Sequence, residues 1–139
     1  MKTLIRVLIC LFFLAGGATH FLFAEDFVTI VPPFLPLPLW VVWITGVVEL
    51  LMAPLVLVPR WRQQVGQFMA VYCLAVLPAN IYQAITGAPG VGGEVSESVL
   101  WLRIPLQFVL IAAILWATTE SPGALIRRSS RSVEPVTRG

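Results

Sequence analysis

The sequence predicts an all-α, polytopic membrane protein, a four-transmembrane-helix bundle with kinked helices. Hydrophobic residues make up 58% of the 139 residues and charged residues only 12%, which is more apolar surface than a soluble domain of this size can bury. The chain contains four apolar stretches of about 20 residues, the length that crosses a hydrocarbon core of about 30 Å. We therefore expect one domain over residues 1–119, with helices at 4–23, 39–58, 65–86 and 99–117.

The first stretch, residues 4–23, follows a basic start. A basic start before an apolar run is also typical of a secretory signal peptide, which would be cleaved after Ala24. A retained helix is favoured because the run is longer than a usual signal sequence and His20 interrupts its end. Gly16 and Gly17 are expected to let a neighbouring helix approach closely.

The second stretch, residues 39–58, carries a single carboxylate, Glu49, near its centre. An acid at that depth costs up to a few kcal/mol unless it is neutral or partnered, so the other helices are expected to supply partners. The connection before it, residues 25–38, is apolar but holds four prolines. Because proline excludes a regular helix, we expect a stiff interfacial loop over the outer end of the bundle.

The remaining connections differ in charge, which predicts the topology. The N-terminus, the turn at 59–64 and the C-terminal segment 120–139 are basic, whereas the connections 25–38 and 87–98 contain no Lys or Arg. By the positive-inside rule, both termini face the cytoplasm of a bacterial inner membrane. Residues 120–139 are predicted to be a disordered basic cytoplasmic tail. The lipid bilayer is the expected partner, and nucleic acid is not.

Each predicted helix contributes at least one strongly hydrogen-bonding side chain in the outer half of the membrane. Charge facing lipid is rare, so we expect these side chains to converge inside the bundle, in a polar pocket that opens outward. Glu49 and Arg103 could pair and cancel their charges. The predicted polar core is His20, Glu49, Asn80, Arg103 and Gln107.

Prolines interrupt three of the predicted helices, and each frees the carbonyl four residues earlier. Within a membrane, a freed carbonyl must find another donor, and we expect Asn80 and Arg103 to provide it. The prolines and freed carbonyls are Pro54 with Leu50, Pro78 with Leu74, and Pro105 with Trp101.

The two cysteines, Cys10 and Cys73, are far apart in the sequence, and His20 is the single histidine. There is no C-x-x-C pair and no Cys/His cluster, so neither a thioredoxin-like redox motif nor a metal site is predicted. We expect both thiols to be inert packing groups.

Four motifs in order resemble the DoxX-like family of small bacterial integral membrane proteins. They are AGGATHF, FVTIVPPFLPLPLWVVWITGVVEL, VLPANIYQA and LRIPLQ, and the resemblance covers about residues 10–115. It implies a four-helix membrane bundle. Some members of that family are associated with quinone-linked sulfur oxidation or membrane redox complexes. The residues themselves identify no cofactor, and the resemblance alone makes a quinone a candidate.

The favoured hypothesis is a small-molecule-binding membrane subunit linked to a quinone or to a redox partner protein. The alternatives are a small proton-coupled transporter, which would need to form a homodimer, and a non-catalytic assembly factor with a purely structural polar site. For two residues, a functional role and a structural role are both open. Glu49 is either a proton-accepting or ligand-binding group or a structural acid, and Arg103 either binds an anionic ligand or extends to the interface.

Overall fold

A computed structural model of the chain describes residues 1–119. Within that range the fold consists of helices, four of which are long and apolar enough to cross a membrane. This confirms the predicted all-α four-helix class; the predicted tail at 120–139 lies outside the described residues. The helices are α1 (Lys2–Leu22), α2 (Ala24–Thr29), α3 (Pro38–Leu55), α4 (Arg62–Thr86) and α5 (Glu97–Thr118).

The main departure from the predicted elements is α2, because the connection at 25–38 was expected to contain no helix. The first proline of that connection is Pro32, so the residues before it are free to form a turn of helix. Glu25 and Asp26 lie in the first turn of α2, where acids interact favourably with the helix dipole. The prolines do prevent α2 from continuing, and Pro38 starts α3 at a position that suits its fixed φ.

The four long helices form a ring in the order α3, α1, α5, α4. The closest pairs are α1 with α3 and α4 with α5, whereas α3 and α4 approach each other only slightly. Gly17 and Gly46 lie at the α1–α3 crossing, where a Cβ on Gly17 would be 3.0 Å from the carbonyl oxygen of Gly46. The expected close approach at Gly17 is therefore confirmed.

The core is filled by side chains from all four long helices. Both thiols are free and buried within it, as expected for packing groups. Large apolar side chains on the outer faces, such as Leu51 at 61% and Val71 at 63% exposure, are those that lipid would cover. The core residues are Ile9, Cys10, Phe13, Met52, Ala53, Val56, Val65, Met69, Cys73, Ile114 and Ala117.

Candidate functional site

Glu49, in the middle of α3, is surrounded by groups from two other helices. The hydroxyl of Tyr72 on α4 donates a hydrogen bond to Glu49 Oε1 at 2.6 Å. On α1, His20 Nε2 lies 3.7 Å from the same oxygen, and both side chains are only 13% exposed. The predicted partnering of Glu49 by its neighbours therefore exists, and His20 is the one predicted partner that contacts it.

Gly16 makes room for the Glu49 carboxyl group on α1. A Cβ at Gly16 would lie 2.6 Å from Glu49 Oε2, closer than a Cβ atom approaches another heavy atom. Because only a hydrogen occupies that position, the carboxyl group fits against the α1 backbone. The sequence suggested that Gly16 would accommodate a helix; the structure places a carboxyl group there.

The hydrogen bonds of His20 define which ring nitrogen carries its proton. Nδ1 lies 3.1 Å from the carbonyl oxygen of Val42, which can only accept. It also lies 3.0 Å from Thr45 Oγ1, whose own hydrogen goes to the carbonyl of Val41 or Val42 at 2.9 or 2.8 Å. Nδ1 is therefore a donor, and in the neutral ring Nε2 presents its lone pair toward Glu49. A single proton between the two groups can then be carried by either.

A cavity of about 200 Å³, which we call the lid pocket, lies beside His20. Its walls come from α1, α3 and α4, and α2 with the following proline-rich connection covers it. The imidazole of His20 stacks on Phe27 of α2, with ring centres 4.2 Å apart. The lining residues are His20, Phe27, Ile30, Val31, Pro32, Phe34, Leu35, Val41, Val42, Thr45, Ala75, Val76, Pro78 and Ala79.

The lid pocket is apolar, with His20 and Thr45 as the polar residues of its lining. The sequence predicts a polar pocket lined by His20, Glu49, Asn80, Arg103 and Gln107; of these five, His20 lines the lid pocket and the other four do not. A second, more open cavity of about 320 Å³ lies farther along the α3–α4 seam, with Leu51, Leu55 and Phe68 among its walls. Both cavities occur where α3 and α4 pack least closely.

Asn80 and Gln107 form a separate pair that joins α4 to α5. Asn80 Nδ2 donates to Gln107 Oε1 at 2.6 Å, and Gln107 Nε2 donates to the carbonyl of Cys73. Each amide thus satisfies the other or a backbone group. This arrangement is that of a helix-to-helix hydrogen bond rather than of an open ligand site.

Arg103 does not pair with Glu49, contrary to the expectation from their charges. Its Nη1 donates to Gln83 Oε1 at 2.9 Å, and the buried Gln83 in turn donates to the carbonyl of Ala88 at 3.2 Å. The reason lies in the ring order: α3 and α5 are on opposite sides of the bundle, and no Cα atoms of the two helices lie within 8 Å of each other. Arg103 is also exposed, which matches the interfacial alternative.

The donors expected at the proline-freed carbonyls are also engaged elsewhere. Asn80 bonds Gln107, and Arg103 bonds Gln83. The side chain that reaches a backbone carbonyl near Pro78 is Gln107, which bonds the carbonyl of Cys73 and not that of Leu74. Amide side chains of neighbouring residues, and not the freed carbonyls, are therefore the partners of Asn80 and Arg103.

Tyr72 and Thr45 were missed by the sequence-based prediction. Tyr72 is not one of the five residues of the predicted polar core, although its hydroxyl is the group that bonds Glu49. A signal was available, since a tyrosine hydroxyl buried in a membrane helix needs a hydrogen-bond partner. Thr45 has a weaker signal, because threonine in a helix commonly bonds its own backbone.

Comparison with known proteins adds the family but no activity. A family model described as "Domain of unknown function (DUF8561)" matches residues 9–119, which include α3, α4, α5, most of α1 and every residue of the site. No curated protein and no solved structure matches the chain.

Proposed function

The chain belongs to the DUF8561 family of unknown function, and from the chemistry of its own residues we propose that it binds a small, largely apolar molecule in the lid pocket. The carrying observation is the position of His20, which lines an apolar cavity and also contacts the buried Glu49 carboxyl group. Such a pocket suits a ligand with an apolar body and one group that exchanges a proton.

The volume of the pocket limits the size of the ligand. A cavity of about 150 Å³ holds benzene, so the lid pocket, at about 200 Å³, suits one substituted ring. A lipid-soluble quinone meets these requirements if only its headgroup enters and its tail stays in the α3–α4 seam. The resemblance to the DoxX-like family favours the same class of ligand, and a redox partner protein would then supply or accept the electrons.

Because His20 is the single histidine, its ring signals report binding without ambiguity. The test is a nuclear magnetic resonance titration of histidine-labelled protein in detergent with a short-chain benzoquinone. We expect saturable shifts of the His20 ring. Ala79→Phe, which fills the pocket, should abolish them, whereas Ala112→Phe, on an exposed position of α5, should not. Shifts that are unsaturable, or unaffected by Ala79→Phe, contradict the proposal.

A proton-coupled transporter is the second candidate, because Tyr72, Glu49 and His20 connect three helices near the centre of the bundle. Four helices are few for alternating access, so this function would require a homodimer. Vesicles containing the protein should then show proton or solute flux that Glu49→Gln removes. An assembly factor would instead lose activity only in variants that fail to fold.

We also propose that the protein lies in the bacterial inner membrane with both termini cytoplasmic, as the distribution of basic residues indicates. The test uses variants without Cys10 and Cys73 that carry one new cysteine. An impermeant maleimide added to intact cells should label Glu94→Cys in the acidic connection and leave Arg60→Cys unlabelled. The reverse pattern would invert the proposed orientation.

A further inference from the structure

Basic side chains collect at the end of the bundle where α1 and α4 begin and α5 ends. Lys2 Nζ donates to the carbonyl of Thr119 at 2.9 Å, and Arg6 Nε donates to the carbonyl of Ala117 at 2.7 Å. The last carbonyls of a helix together carry about half a negative charge. They therefore attract these two cations but cannot balance them.

Arg62, the first residue of α4, adds a third cation to the same place. One turn later, Gly66 packs so closely against α5 that a Cβ there would lie 2.6 Å from Thr118 Cβ. This contact holds the start of α4 beside the end of α5, whose last carbonyls bind Lys2 and Arg6. Within residues 1–119, the buried Arg62 Nε has no hydrogen-bond partner.

Carboxylates of the described residues lie away from this basic end. Four belong to α2, the α4–α5 connection or the start of α5, at the opposite end of the bundle. The fifth, Glu49, is in the middle of α3, where His20 Nε2 lies 3.7 Å from its Oε1. The basic end thus carries positive charge that no carboxylate of residues 1–119 balances.

We propose that Arg6 and Arg62 bind the phosphate group of an anionic phospholipid. Guanidinium groups match phosphate oxygens in geometry and charge. Two features point to a lipid. First, Lys2 Nζ lies 5.3 Å from the ring centre of Trp116, and a pairing of lysine with tryptophan is suited to the depth of the lipid headgroups. The nearby Leu4 and Leu115 are also exposed, so acyl chains would cover them.

The test is native mass spectrometry of the full chain in detergent with equal amounts of phosphatidylglycerol and phosphatidylcholine. One basic group near an anionic surface contributes a factor of about five, so the native protein should favour phosphatidylglycerol by at least about fivefold. Arg6→Gln and Arg62→Gln should each lower that preference about fivefold. Arg6→Lys and Arg62→Lys, which keep the charge, should retain most of the preference. Arg103→Gln, at the opposite end, is the matched control and should change nothing.

Arg62→Gln separates binding from folding, because Arg62 makes no side-chain hydrogen bond within residues 1–119 that the change could remove. Arg6→Gln removes the bond to Ala117 O, so circular dichroism checks the helices of every variant. Equal adducts of the two lipids on the native protein would overturn the proposal. So would binding of inorganic phosphate through both arginines without a preference for phosphatidylglycerol. A third outcome concerns Glu120: if only the Glu120→Gln variant prefers phosphatidylglycerol, then Glu120 is the group that neutralises the arginines. That result would also overturn the proposal.

Discussion

At the scale of single residues, the site depends on which neighbouring groups Glu49 and His20 contact with their oxygen and nitrogen atoms. The hydroxyl of Tyr72 donates to Glu49 Oε1. The Nδ1 atom of His20 faces the carbonyl of Val42 and the hydroxyl of Thr45, whereas its Nε2 atom faces Glu49. In a low-dielectric interior, each unmade bond costs more than in water. These contacts explain how the bundle tolerates an acid at mid-membrane without an arginine partner.

The tautomer of His20 is the first prediction at this scale. Neutral His20 should carry its proton on Nδ1, because Val42 O and Thr45 Oγ1 both accept there. Nitrogen-15 chemical shifts of the single histidine distinguish the two tautomers directly. Thr45→Val keeps the shape and should retain the same tautomer, since Val42 O remains. A ring protonated on Nε2 in the native protein contradicts the geometry.

Replacement of Tyr72 measures the worth of its bond to Glu49. Tyr72→Phe leaves a buried carboxyl oxygen without its donor and should lower the free energy of unfolding by about 1–3 kcal/mol. Tyr82→Phe is the matched control, because the Tyr82 hydroxyl makes no hydrogen bond within the described residues, and should cost under about 0.5 kcal/mol. Denaturation in mixed detergent micelles measures both. Equal costs would mean that the Tyr72 bond contributes nothing.

At the scale of elements, the two closest helix pairs are held in different ways. The pair α1–α3 relies on glycines, since Gly17 and Gly46 bring the backbones together and Gly16 leaves space for a carboxyl group. The pair α4–α5 relies on amides, through Asn80, Gln107 and Gln83. In lipid, both close packing and helix-to-helix hydrogen bonds drive association.

The fit of Glu49 against α1 predicts an energetic coupling. Gly16→Ala should destabilise the native protein by about 1–3 kcal/mol, because its Cβ would overlap the Glu49 carboxyl group. In the Glu49→Ala background the same change should be neutral or stabilising, since alanine favours a helix over glycine by about 1 kcal/mol. A double-mutant cycle in detergent measures the difference. Additive effects would show that Gly16 and Glu49 do not touch.

At the scale of the whole molecule, the core lies toward the end where α4 begins, and the lid pocket lies toward the end that α2 covers. The core joins all four long helices around Met69 and Ile114, both fully buried. The lid pocket lies farther along, under α2, where Thr29 bonds the carbonyl of Pro89 and Asp26 accepts from the amide of Gly92. The helix that covers the pocket is thus tied to the α4–α5 connection by two hydrogen bonds.

The two thiols test whether that core behaves as one unit. Cys10 and Cys73 are each 5% exposed, on different helices. N-ethylmaleimide, which enters membranes, should label neither thiol in the folded protein. As denaturing detergent is added, both thiols should become reactive at the same detergent concentration. Peptide mass spectrometry follows each thiol separately. Labelling of Cys73 well before Cys10 would show that α4 leaves the bundle independently.

The sequence by itself determined the class of fold and the segments that cross the membrane, because length and hydropathy decide those locally. It also singled out Glu49 as an acid that needs partners. The partners themselves were decided only by the tertiary structure: ring order places α3 opposite α5 and beside α1, so Glu49 contacts His20 and Tyr72 and not Arg103. Depth along a helix can be read from residue numbers, but which faces meet depends on packing between helices. The character of the pocket was decided in the same way. The sequence indicated a polar pocket, but the lid pocket that forms where α2 and the proline-rich connection pack over α3 and α4 is apolar.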